Sequence, residues 1–161
     1  MQGITAESQA KVSMIISSIK KIVGLCLLTL LSACDSNNFQ EEIPYTTFPD
    51  IFIQLDLPQY NNLAVDGGHI LLNEGVRGII LYRESSTRYH AYERNCSYLP
   101  YEAGSTVHVH SSGLYMTDPT CGSSFSFING HPTSGPAQYP LREYSVSMDR
   151  RTLIITDDPT N

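Results

Sequence analysis

The sequence predicts an all-β domain, a sandwich or barrel of antiparallel strands, and three observations carry that expectation. Beyond residue 48 the apolar residues recur at alternate positions in short runs, the period of a half-buried strand. Gly, Asn, Asp, Ser and Pro break these runs at regular short spacing, as connections between antiparallel strands do. No stretch after Cys34 sustains a helical period, and there is no internal repeat.

The elements follow in chain order. Residues 50–57 (DIFIQLDL) put Ile51, Ile53, Leu55 and Leu57 on one side of a strand. Gly67-Gly68 leads into HILLN, Glu74-Gly75 turns the chain, and VRGIILYR returns it, which makes a hairpin. Strands are then expected at 87–93, 106–110, 113–117, 124–128, 144–148 and 152–156. Asn129-Gly130 has the left-handed tolerance that a tight hairpin turn requires. His108 and His110 lie two apart on one of these strands and so share a face. That spacing makes them candidates for gripping a metal, against the plainer alternative of a solvated strand face.

The amino end sets the compartment. Lys20 and Lys21 precede an apolar run at 22–31, and Leu31-Ser32-Ala33-Cys34 has the form of a lipobox. A spanning helix needs about 20 apolar residues, so this run is a signal peptide. Met14 would begin a signal of ordinary length, which places the true start there rather than at Met1. The expected organisation is a signal peptide over 1–33, a lipidated Cys34 with a polar tether over 34–47, and a domain over 48–157. Acylation of Cys34 would tie the protein to a membrane of the bacterial cell envelope, on the periplasmic or outer-membrane side.

From Cys34 onward fifteen Asp and Glu oppose seven Arg, a formal charge of −8. Nothing in that balance neutralises phosphates, so nucleic acid is excluded as a partner. Ser111-Ser112-Gly113 and Gly122-Ser123-Ser124 lack the strand-to-helix elbow of a serine nucleophile. With no acid–base pair and no cofactor loop either, the domain is expected to be no enzyme. An envelope protein or a small ligand remains as its partner class.

Residues 118–141, DPTCGSSFSFINGHPTSGPAQYPL, carry a resemblance to a known family. Pro119, Gly122, Ser123, Phe125, Gly135, Pro136, Ala137, Pro140 and Leu141 are in register with the second half of a Rieske two-iron two-sulfur domain. Upstream, RNCSY around Cys96 follows the aromatic strand RYHAY and stands where that family has Cys-x-His. The resemblance implies an all-β frame with a small inserted cluster-binding-like loop subdomain near residues 95–135. It also implies four ligand positions, which in this sequence are Cys96, Tyr98, Asp118 and Cys121, and only Cys96 keeps the family identity. The extra cysteine pair of respiratory members is replaced by Tyr101 and Thr120. Ser123 falls where the family donates to a cluster sulfur, and Tyr98, Tyr101 and Tyr139 would gather at the loop tip.

Cys96 and Cys121 therefore admit three readings. They form a disulfide across facing loops, favoured in an exported protein; or they bind a two-iron two-sulfur cluster with Tyr98 and Asp118; or they hold zinc with Asp118 and one imidazole. The expectation is the first, with no cofactor; the alternative that the resemblance implies is a two-iron two-sulfur cluster with an atypical ligand set, which would make the domain at most an electron-transfer component. Family members that cross an envelope with a cluster generally use a twin-arginine signal, whereas this one offers Lys20-Lys21.

Overall fold

The computed structural model describes residues 43–160, so the signal peptide, Cys34 and most of the expected tether lie outside the described residues. Those residues form the expected antiparallel β architecture with two sheets. The larger contains β1 (Ile51–Gln54), β2 (His69–Leu72), β3 (Ile79–Ser85), β4 (Arg88–Glu93), β9 (Glu143–Asp149) and β10 (Thr152–Pro159), in the order β1-β10-β9-β4-β3-β2. The smaller is a meander of β5 (His108–Val109), β6 (Met116–Thr117), β7 (Ser124–Phe125) and β8 (Pro132–Ser134). Among the described residues no helix is long and apolar enough to cross a membrane.

The large sheet is covered on both faces, and its middle strands show why. On β3, Ile79 and Leu81 enter one apolar cluster and Ile80 the other; on β4, Tyr89 and Ala91 enter the first and Tyr92 the second. Alternation by two along a strand sends neighbours to opposite faces, so a continuous apolar run marks a strand buried on both. The first cluster is closed by Ile53, Leu63, Tyr144, Leu153 and Ile155. The second joins the sheet to the loop subdomain through Cys96, Val107, Met116, Phe125, Phe127, Ala137 and Leu141.

The runs expected at 113–117 and 124–128 keep only Met116–Thr117 and Ser124–Phe125 as strand, Pro132–Ser134 is an additional strand, and three further features differ with a visible cause. The 106–110 run keeps only two residues as β5, because Thr106 bridges Asn95 and Val107 N donates to Arg94 O at 2.7 Å, spending that stretch on the continuation of β4. The Asn129-Gly130 turn is wider than a two-residue hairpin. Ser126 N donates to His131 O (2.9 Å) and Gly130 N to Ser126 O (3.0 Å), while Asn129 Oδ1 accepts from His131 N (3.1 Å). Gly130 has φ +67, and a Cβ there would lie 2.9 Å from the Tyr92 ring, so the turn is set by packing as well as by twist. Pro58–Ala64 forms a 3-10 helix that buries Leu63, a single apolar contact too sparse to leave a period in the sequence.

The domain's contacts also extend back before residue 48. Arg142 Nη2 donates to Ile43 O at 2.7 Å, its guanidinium lies 5.6 Å from the Tyr45 ring centroid, and Tyr45 donates to Asp157 Oδ2 at 3.0 Å.

Candidate thiol and carboxylate site

Three loops of the small subdomain meet at the site. Loop 1 leaves β4 and carries Cys96; loop 2 joins β6 to β7 and carries Asp118 and Cys121; loop 3 follows β8 and carries Gly135 to Tyr139. Side-chain hydroxyls lace them together. Thr120 Oγ1 donates to Gly104 O at 2.7 Å, which ties loop 2 to loop 1, and Ser97 Oγ donates to Tyr139 O at 2.6 Å, which ties loop 1 to loop 3. Ser123 Oγ accepts from Ala137 N at 3.1 Å, tying loop 3 to loop 2. Gly135, at φ +88, passes so close that a Cβ would lie 2.5 Å from Ser123 Cα.

Loop 2 is shaped by Asp118. Its Oδ1 accepts from Thr120 N at 2.8 Å, and its backbone pairs with Ser123 and Gly122 (2.9 and 2.8 Å), so the chain doubles back within six residues. The remaining oxygen, Oδ2, takes the hydroxyl of Ser105 and the thiol of Cys121, each at 3.4 Å. Cys96, Asp118 and Ser123 are fully buried, whereas Cys121 is half-buried.

The two sulfurs stand 3.8 Å apart and are not bonded to each other. Each receives a backbone donor from the residue two further on, Tyr98 N to Cys96 Sγ at 3.5 Å and Ser123 N to Cys121 Sγ at 3.4 Å. Burial pushes the Cys96 thiol well above the usual range, and the nearby Asp118 adds to it. One ligand atom from each of Cys96, Asp118 and Cys121 lies within 4.8 Å of the others.

A second set of contacts holds loop 1 from beneath. The buried Glu93 carboxylate accepts four bonds, from Val76 N (2.7 Å) and Tyr144 Oη (2.8 Å) on Oε2, and from Arg77 N (3.0 Å) and Asn95 N (2.9 Å) on Oε1. Arg77 is thereby aimed across loop 1. Its guanidinium donates to Asn95 Oδ1, to Thr106 Oγ1 (3.3 Å), and to the carbonyls of Pro100 (3.4 Å) and Glu102 (2.8 Å). Nothing in the sequence pattern distinguishes Glu93 from a solvated strand-end acid.

The other sequence candidates are placed elsewhere. His108 is exposed, its Nδ1 3.1 Å from Arg94 Nη2, and His110 bonds Ser112 Oγ (2.9 Å) and stacks on Tyr115. His110 lies beyond β5, so the two do not form the shared strand face that the spacing suggested. Among the described residues only Cys96, Asp118 and Cys121 form a group of three metal-competent side chains, and no imidazole joins them. Tyr98 packs against the second apolar cluster, Tyr139 is half-buried, and Tyr101 remains 67% exposed.

This donor set does not fit a two-iron two-sulfur cluster. Such a cluster takes four ligands, two for each iron, all thiolate or with an imidazole pair on one iron. Here the four family-equivalent positions, Cys96, Tyr98, Asp118 and Cys121, offer two sulfurs and two oxygens, and no imidazole stands with them.

No protein-family model matches the chain, and no curated protein matches it. Among solved structures it is similar to a chain in the complex of reduced oxygenase and oxidized ferredoxin of carbazole 1,9a-dioxygenase, at 19% identity and TM-score 0.45, covering 60% of this chain and 86% of that one. It is also similar to the ferredoxin of carbazole 1,9a-dioxygenase from Nocardioides aromaticivorans IC177, at 17% identity and TM-score 0.41, covering 57% and 86%. The Sphingomonas yanoikuyae B1 ferredoxin matches at 18% identity and TM-score 0.43, covering 59% and 92%.

Proposed function

We propose that the chain is an envelope lipoprotein, held by acylated Cys34, whose Rieske-like domain acts as a binding or structural module braced by a Cys96–Cys121 disulfide in place of an iron-sulfur cluster. The observation that carries this reading is the 3.8 Å gap between two sulfurs on laced, facing loops. A disulfide needs about 2.05 Å, so the two sulfurs must approach by a further distance of about 1.8 Å to form it. The incomplete donor set, three convergent ligand atoms, supports the same conclusion.

Closure is a two-electron exchange with an oxidised dithiol protein of the envelope. The half-buried Cys121 thiolate attacks the oxidant's disulfide and forms a mixed disulfide. Cys96 then attacks Cys121 Sγ, and the oxidant leaves as a dithiol carrying the two electrons. Burial disfavours the Cys96 thiolate and so works against the second step. The bond closes a loop over 24 intervening residues, which on the chain-entropy account stabilises by about 3 kcal/mol.

The exported full-length protein tests this directly. Alkylation under denaturing conditions, with and without prior reduction, is expected to reveal no free thiol at Cys96 or Cys121 until reductant is added. The protein is expected to be colourless, and Cys34→Ser to release it from membranes. Two free thiols in the exported protein, or brown protein with stoichiometric iron, would overturn the proposal.

A further inference from the structure

The same three side chains have a second chemistry when the thiols are reduced. We infer that Cys96, Asp118 and Cys121 form a site for a single tetrahedral soft divalent cation, with zinc the natural occupant and its fourth position open to solvent or an external ligand. This rests on the thiol pair of the proposed function but not on its oxidation.

The distances carry the inference. Zinc binds thiolate at about 2.3 Å and carboxylate at about 2.0–2.2 Å in tetrahedral sites, which places two sulfur ligands about 3.8 Å apart and sulfur and oxygen about 3.6 Å apart. The Cys96 and Cys121 sulfurs are 3.8 Å apart, and Cys121 Sγ is 3.4 Å from Asp118 Oδ2. The third edge, Cys96 to Asp118, lies within 4.8 Å. A disulfide at about 2.05 Å would pull the sulfurs inside the edge that the ion requires.

The surroundings suit a bound thiolate–carboxylate set. Asp118 and Cys96 are fully buried, and Asp118 is oriented from outside by Thr120 N (2.8 Å) and Ser105 Oγ (3.4 Å), the arrangement that fixes a metal-ligating carboxylate. Tyr98 N and Ser123 N each donate to a sulfur, at 3.5 and 3.4 Å, which offsets the negative charge left by two thiolates and a carboxylate around one dication. No histidine is needed, and none joins the group. Three protein ligands with one open position is the zinc arrangement that exchanges external ligands, whereas closed structural sites use four.

The test uses the full-length protein in detergent, reduced, freed of metal with a chelator and titrated with cobalt(II) and with zinc. Cobalt is expected to bind one per chain, with the sulfur-to-metal charge-transfer band of thiolate ligation and the visible bands of a tetrahedral ion, and zinc to bleach both. Asp118→Asn is expected to weaken zinc binding by more than tenfold, and Cys121→Ser to abolish the charge-transfer band, while His108→Ala leaves the titration unchanged. Octahedral cobalt spectra, no binding by reduced protein, or equal binding by Asp118→Asn would overturn the site. Should the cysteine variant misfold, the Asp118→Asn titration and the wild-type spectrum decide. Oxidised protein is expected to bind no cobalt. Free thiols in the exported protein together with zinc binding would refute the disulfide alone, and a disulfide in the exported protein whose reduced form ignores both metals would refute the zinc site alone.

Discussion

Replacing Glu93 by Gln isolates the contact that holds loop 1 in place. Four donors point at the two carboxylate oxygens, so the added amide NH2 must face at least one of them. Turned toward the Oε2 side it meets Val76 N and the Tyr144 hydroxyl, which can rotate to accept; turned the other way it meets two backbone N–H groups, which cannot. The first orientation is therefore the less costly and leaves one backbone donor unpaired, costing about 1–3 kcal/mol. The two bonds on the remaining oxygen become neutral ones, a loss of about 1 kcal/mol each. Removing a buried charge works the other way, and the net destabilisation is about 2–4 kcal/mol. Urea unfolding is the assay. With a slope of about 1–3 kcal/mol/M the midpoint should fall by roughly 0.7–4 M at constant slope. Tyr144→Phe, which removes one donor to the buried carboxylate and leaves its charge intact, should cost about 1.5–3 kcal/mol. Because Glu93 also aims Arg77 at residues 100–106, amide exchange across loop 1 should accelerate in Glu93→Gln. A midpoint within 0.3 M of wild type, on the order of the shift from an exposed substitution such as Glu102→Gln, would refute the assignment of Glu93 as the anchor of that loop.

Two further outcomes follow from the same geometry. His90 lies between Glu143 (2.6 Å) and Glu84 (2.9 Å), and these carboxylates, Glu143 foremost, raise its pKa against the opposing effect of burial while His90 lowers that of Glu84. The raised imidazole contributes stability that is complete below its unfolded pKa near 6.5 and lost as pH climbs through the folded value; the lowered Glu84 contributes stability lost as pH falls below about 4.5. Urea midpoints should therefore peak between those values and decline from pH 6.5 upward, a decline that His90→Gln abolishes; an unchanged alkaline slope in the variant would exclude His90 as its source. Gly135→Ala should lower stability by about 2 kcal/mol or more, since the new Cβ would meet Ser123 Cα at 2.5 Å. Gly113→Ala, with φ +70 and nothing within 4 Å, should cost only the left-handed backbone penalty of about 1 kcal/mol, and equal thermal shifts for the two would deny that loop 3 clasps loop 2.

Much of this protein was determined by the sequence alone. The alternating run of 50–57, the continuous apolar runs within 69–73 and 76–83, and the runs of 87–93, 144–148 and 152–156 produce the large sheet, because apolar pattern and turn residues act over a few positions. The positions of Cys96, Tyr98, Asp118 and Cys121 were marked only by the resemblance to the Rieske pattern. Their joint geometry was not. The 3.8 Å sulfur gap is set by Thr120 on Gly104, Ser97 on Tyr139 and Ser123 on Ala137, bonds between loops distant in the chain that no window of sequence records. The same reason hid Glu93, whose burial depends on Val76, Arg77 and Tyr144 arriving from other elements. It separated His108 from His110 as well, because Thr106 and Val107 were drawn into the ladder beyond β4 and left a strand of two residues. Local pattern specifies which backbone bonds a segment can make; only the packed chain decides which polar side chains lose water together, and that shared burial is what builds the site.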